Sequence, residues 1–173
     1  MFLKSNLLYL RALERSDLAF LYHLENDVEV WRVSNTVAPY SKEVLEQYLE
    51  NATADIYSTR QLRLLICSLQ HEQVGVIDLF DFEPLHRRAG IGVLVAKNFR
   101  QQEYGINALN LTLHYCQNIL LLHQIYCTIP LSNLPSQQLF NRAGFSSIGI
   151  RKEWLRSPVG WEDVQEFQKI LVS

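Results

Sequence analysis

Apolar and polar positions along the chain switch between two periods, and the switches mark out its elements. Leu7 to Leu13 alternates closely enough for a first strand. Glu14-Arg15-Ser16-Asp17 then opens a helix running to about Asn26, with Ser16 or Asp17 placed to cap its first N–H groups. Asp27 to Tyr40 has weak periodicity, after which Ser41 opens a second helix with Val44, Leu45, Tyr48 and Leu49 on one face. This region reads as a mobile helical flap. Gln61 to Leu69 and Gln73 to Phe82 read as strands joined by the hairpin-length Gln70-His71-Glu72. Ala89 to Ala96 continues an antiparallel meander after the turn Glu83 to Arg88.

From Tyr104 to Leu120 the period becomes helical, with Ile106, Leu109, Leu113, Cys116 and Leu120 on one stripe, and a buried-looking strand, Gln124 to Ile129, follows. Strand, helix and parallel strand make a unit whose crossover is right-handed. Ser136 to Ala143 fits a short helix closed by Gly144. Two last strands, Phe145 to Leu155 and Trp161 to Leu171, are separated by Ser157-Pro158-Val159-Gly160. The order implies a mixed α/β (α+β) domain spanning 1–173, with antiparallel strands first and a parallel pairing in the second half.

Composition narrows the function classes. The 173 residues, 48% of them hydrophobic and 20% charged, suffice for one compact core without disulfide or metal staples. A formal net charge of −2 supplies no field for a run of phosphates, which argues against nucleic acid as a partner. No export signal is visible, since Lys4, Arg11, Glu14 and Arg15 interrupt the apolar N-terminal stretch. No run reaches the roughly 20 apolar residues of a membrane span, so a cytoplasmic protein acting without a membrane is expected. Cys67, Cys116 and Cys127 have long unequal separations and read as reduced core residues. The five histidines show no ligand spacing, so no metal site is expected.

Chemistry concentrates at Arg100-Gln101-Gln102-Glu103-Tyr104-Gly105-Ile106, a polar loop that leaves a strand and enters a long helix. Unpaired N–H groups and the positive end of a helix dipole suit a diphosphate there. The segment resembles the coenzyme A signature of GNAT acetyltransferases, Q/R-x-x-G-x-G/A, with Arg100 first, Gly105 last and Glu103 in place of the middle Gly. Leu10-Arg11-Ala12-Leu13-Glu14-Arg15-Ser16-Asp17-Leu18 resembles the L-R-x-L-x-x-x-D-L opening of the RimJ/RimL-like and spermidine acetyltransferase branches. Asn133 to Phe145 resembles their N-x-x-[SA]-x-x-[LI]-[YF]-x-x-x-G-F element, and His86-Arg87-Arg88-Ala89 is similar to a stretch of the spermidine enzymes.

The resemblance implies a GNAT fold: a mostly antiparallel sheet of about six or seven strands with a splayed parallel pair, Ile91 to Ala96 and Gln124 to Ile129, and about four helices. It implies acetyl-CoA as cosubstrate, its pantetheine against the backbone of Val93, Leu94 and Val95 and its arm near Asn133 and Ser136. Phe140 stands where many relatives place a Tyr that protonates the departing thiolate. It also implies direct attack of a primary amine on the thioester, which requires a neutral, oriented amine and a stabilised oxyanion.

A base could come from Asp78, Asp81 or Glu83. Strand alternation sends Asp78 and Asp81 to opposite faces unless a bulge intervenes, and Asp78 is preferred. Trp31, Tyr40, Trp154 and Trp161 are candidates for an acceptor pocket, with core packing as the alternative. Glu25, Asp27 and Glu29 form an acidic run that could attract a polyamine, whereas Arg87 and Arg88 would oppose a polycation if they faced it. The acceptor is expected to be a polyamine-like or amino metabolite or a protein α-amine, and the protein a possible homodimer. The alternative is a non-catalytic acyl-CoA-binding sensor or partner-binding module.

Overall fold

The structure, a computed structural model, describes residues 3–34, 36–52, 55–157 and 159–171. Its elements in chain order are β1 (Leu8–Ala12), α1 (Leu18–Glu25), α2 (Val28–Ser34), α3 (Lys42–Asn51), α4 (Ile56–Thr59), β2 (Leu62–Ser68), β3 (Gln73–Glu83) and β4 (Arg88–Val95). Then come α5 (Tyr104–Asn118), β5 (Gln124–Pro130), α6 (Leu134–Arg142), β6 (Ser146–Ser157) and β7 (Gly160–Ile170). The strands form one seven-stranded sheet in the order β1-β2-β3-β4-β5-β7-β6. Every pairing is antiparallel except β4 with β5.

Strand alternation gives the sheet two apolar faces, and each carries a layer of helix. Ile66, Ile77, Ile91, Ile125 and Phe167 meet Leu109 and Leu113 of α5 and Phe140 of α6. On the other face Leu65, Cys67 and Val76 meet Leu21 and Leu24 of α1 and Leu45 and Leu49 of α3. The three cysteines are free and buried, and burial alone pushes the Cys127 thiol up to about 12.

The structure has six α-helices among the described residues where the pattern implied about four. The additions are two-turn α2, inside the stretch of weak periodicity, and one-turn α4, which Arg60 ends at φ 60°. Both are too short for a 3.6-residue period to repeat, so no amphipathic signal could build up. Of the expected turn before β7, Pro158 lies outside the described residues.

Two departures from regular pairing shape the molecule. β4 and β5 pair only at Arg88↔Gln124, Ala89↔Ile125 and Gly90↔Tyr126. Beyond Gly90, β4 stays with β3 as far as Val95, while β5 stays with β7 as far as Pro130. The two strands therefore diverge into a V whose apex is Gly90 and Tyr126. The second departure is a bulge in β3 between Phe80 and Glu83, with Asp81 at φ 48°. Leu79 and Phe82, three residues apart, both enter the core, and the bulge turns Phe80 and Asp81 out of it together.

Candidate functional site

The polar loop lies at the open end of the V, between β4 and α5. Within it Tyr104 and Ile106 are buried and anchor the helix start, Tyr104 edge-on to Phe99, whereas Arg100, Gln101, Gln102 and Glu103 are exposed. Gln101 (φ 60°) and Glu103 (φ 63°) are both left-handed, the conformation glycine adopts without strain. A Cβ on Gly105 would meet only ordinary contacts, the nearest being Leu139 at 3.4 Å. The first intrahelical bond of α5 runs from Asn107 N–H to the Glu103 carbonyl at 3.1 Å, and no side chain caps the helix. The amides ahead of Asn107, at the positive end of a 15-residue helix, therefore point into the loop.

Two cations stand beside these amides, and a carboxylate holds both. Glu29 of α2 accepts from Lys97 Nζ at 3.0 Å and from Arg100 Nη1 at 3.3 Å. Lys97, and then Arg100, hold the Glu29 carboxyl below its usual range. Any anion taken up by this loop competes with α2 for Lys97 and Arg100. Glu103 is turned onto α6, where Arg142 grips both its oxygens at 2.8 and 3.2 Å and lowers its carboxyl. Glu103→Gly is expected to tighten coenzyme A binding about fivefold by calorimetry, because a carboxylate beside a bound diphosphate repels it. Unchanged affinity would show that the carboxylate already points clear of the phosphates.

Along the V, Val93, Leu94 and Val95 are half-buried on the strand that has lost its β5 neighbour. Across the cleft Asn133 caps α6, its Oδ1 accepting from Ser136 N–H at 3.2 Å. Phe140 is a core residue, 4% exposed and edge-on to Phe145. The resemblance put it where many relatives carry a Tyr, and here its ring packs in the core against Phe145.

The face carrying α1 and α3 holds the acidic groups. Arg63 of β2 donates to Asp78 through Nε and Nη2 at 2.5 and 3.1 Å and to the buried Glu25 through Nη1. Both oxygens of Asp78 are thus engaged by one guanidinium, a poor arrangement for a group that must accept a proton. Arg63 also lies 5.7 Å from the Tyr48 ring, whose phenol burial pushes up. An arginine inside the apolar run QLRLLICSL was the available signal for this cluster, and the motif reading passed over it. The acidic run Glu25, Asp27, Glu29 is dispersed: Asp27 Oδ1 accepts from the Glu29 backbone N–H two residues on, and the other two carry the ion pairs above.

The bulge brings Asp81 to Tyr126 of β5, whose hydroxyl donates to Asp81 Oδ2 at 3.4 Å. Arg87 points elsewhere, its Nε bonded to the Leu121 carbonyl at 2.6 Å. Of the four aromatic candidates, Trp31 is tied to the Glu25 carbonyl at 2.7 Å, while Tyr40, Trp154 and Trp161 are exposed. Trp154 lies under Arg151 of the edge strand β6 at 4.6 Å. No group of side chains that could hold a metal occurs among the described residues.

Comparison with known proteins places this geometry. Residues 8–146 match the acetyltransferase (GNAT) domain family. The chain is 28% identical over 145 residues to spermidine N(1)-acetyltransferase of Vibrio cholerae, covering 82% of this chain and 80% of that protein. It is 24% identical over 144 residues to the Escherichia coli K12 enzyme of the same name, covering 81% and 73%. The crystal structure of the Vibrio cholerae enzyme with CoA and spermine superposes with a TM-score of 0.86 at 25% identity, over 94% of this chain and 95% of that one. A dodecameric structure of the same enzyme superposes with a TM-score of 0.78 at 26% identity, over 94% and 93%.

Proposed function

Because the chain belongs to the GNAT acetyltransferase family and is an acetyl-CoA-dependent N-acetyltransferase, we propose that its acceptor is the primary amine of a small polyamine, acetylated in the cytoplasm. The observation that carries this reading is the V between β4 and β5, with a polar loop and helix start suited to a diphosphate at its open end and the Asp81 carboxylate beside Tyr126 at its apex.

The backbone of Val93 to Val95, unpaired on its β5 side, would hold the pantetheine as a further strand would. Arg100, Lys97 and the first amides of α5 would take the diphosphate, displacing Glu29 and with it the contact from α2. Gln101, Gln102, Tyr104, Gly105 and Ile106 give the loop its shape, and Asn133 and Ser136 line the opposite wall. The reaction is attack of the neutral amine nitrogen on the thioester carbonyl. The C–N bond forms, the C–S bond breaks and coenzyme A leaves as its thiol.

Incubating the protein with acetyl-CoA and an amine panel of spermidine, spermine, amino metabolites and peptides is expected to release thiol with the polyamines first. No release above background with any amine would sink the proposal, and release with peptides alone would replace the acceptor. Self-association is part of the same reading. β6 is an edge strand exposing Ile148, Ile150 and Trp154, an apolar row that a second copy would cover.

A further inference from the structure

Acceptor chemistry at the apex of the V falls to a group that alternation along β3 would have hidden. A regular strand would send Asp81 to the core face with Ile77 and Leu79. Phe82 takes that place instead, and Asp81 emerges beside Phe80. Phe80 lies flat across β4 because position 90 has no side chain: a Cβ there would come within 2.2 Å of the Phe80 ring. The Phe80 ring meets that of Tyr126 edge-on at 6.3 Å, and the Tyr126 hydroxyl reaches Asp81. Gly90 and Tyr126 are also the last pair before β4 and β5 part. One carboxylate and two aromatic rings therefore gather where the cleft closes. An ammonium is drawn both to a carboxylate and to the faces of aromatic rings.

We propose that Asp81, held by Tyr126 over the Phe80 and Gly90 floor, receives the acceptor's ammonium and takes the proton it must lose, in place of Asp78. The assignment rests on the polyamine reading above. R–NH₃⁺ gives one proton to the Asp81 carboxylate, which passes it to water. The freed lone pair attacks the thioester carbonyl, and the second proton goes from nitrogen to the departing sulfur. Asp81 is the catalytic residue in this scheme and Tyr126 its positioning residue.

The charges facing the pair fit this role. Burial and Asp81 raise the Tyr126 phenol, while Arg88 of β4 and Arg151 of β6 pull it down. Arg151 is already paired with Glu166 of β7, so one of the two nearby cations is neutralised before any ammonium arrives.

The test compares Asp81→Asn, Tyr126→Phe and Asp78→Asn with the wild type. Asp81→Asn is expected to lower kcat/KM for spermidine about 100-fold, with coenzyme A affinity by calorimetry within about twofold. That loss should shrink severalfold for a weakly basic fluorinated alkylamine, which is neutral at neutral pH and has no proton to surrender. Tyr126→Phe should raise KM for spermidine about fivefold with a smaller change in kcat. Asp78→Asn should lose less kcat/KM than Asp81→Asn. An Asp81→Asn enzyme within threefold of wild type overturns the assignment, as does an equal loss with both amines or a matching loss of coenzyme affinity. A wild type that turns over no amine at all removes the polyamine reading and this assignment with it.

Discussion

Asp17→Ala is expected to lower the unfolding free energy by about 4 kcal/mol, and the melting temperature by roughly 8–16 °C for a chain of this size. Asp17 is 0% exposed and accepts four hydrogen bonds. They come from Arg11 Nη1 and Nη2 at 2.8 and 2.7 Å, Glu14 N–H at 2.8 Å and Gln73 Nε2 at 2.6 Å. Alanine leaves the Glu14 backbone amide and the Gln73 carboxamide without this acceptor and strips Arg11 of its carboxylate partner, and an unpaired buried donor costs about 1–3 kcal/mol. The same bonds fix the pH dependence. Burial pushes the Asp17 carboxyl up, but the bonds from Arg11, Glu14 and Gln73 outweigh it and hold the carboxyl below its usual range.

A depressed folded pKa stabilises the protein above the unfolded value of about 3.9, and the contribution is lost as pH falls through the folded pKa. As pH falls from about 4 through the folded pKa, the wild type should therefore lose stability more steeply than Asp17→Asn, read by urea unfolding at successive pH values. A fall in melting temperature under about 3 °C for Asp17→Ala, or parallel acid slopes, would refute the account.

Arg63→Met is expected to cost about 3 kcal/mol, a fall of roughly 6–12 °C in melting temperature. The substitution fills the space but strands Glu25, whose side chain is 8% exposed, and Asp78 beside it. The lower end of the range for a broken buried pair is used because the Arg63 side chain keeps 26% of its exposure. Removing the acids as well should return most of the loss: Arg63→Met with Glu25→Gln and Asp78→Asn is expected to lie above the single variant. A triple variant no more stable than Arg63→Met would show that the arginine acts by packing on Tyr48 and not by charge.

These two ion-pair systems also explain what the motifs mean. L-R-x-L-x-x-x-D-L is a staple: Leu10 and Leu13 are buried, and Arg11 and Asp17 close the turn from β1 into α1. Its residue types are fixed by this packing and pairing, so its signal reports fold. Asn133 to Phe145 was legible for a similar reason, since an Asn cap, buried Phe140 and Phe145, and Gly144 at φ 82° each leave a fixed residue type. The loop at Arg100 to Ile106 was placed correctly on the chain, yet its two left-handed positions carry Gln101 and Glu103, which no propensity rule would put there.

The sequence by itself determined the order of the strands and the longer helices, the parallel pair around α5 and the position of the polar loop that enters α5. All of these follow from periods and end signals that act within a dozen residues. Only the tertiary structure decided which carboxylates meet which partners. Arg63 meets Asp78 and Glu25 across 15 and 38 residues of chain, and Glu29 meets Arg100 across 71. Asp81 meets Tyr126 across 45, through a bulge that reverses the face alternation assigns it. Charge pairing between distant segments depends on sheet register, and a one-residue bulge changes register without leaving a periodic trace.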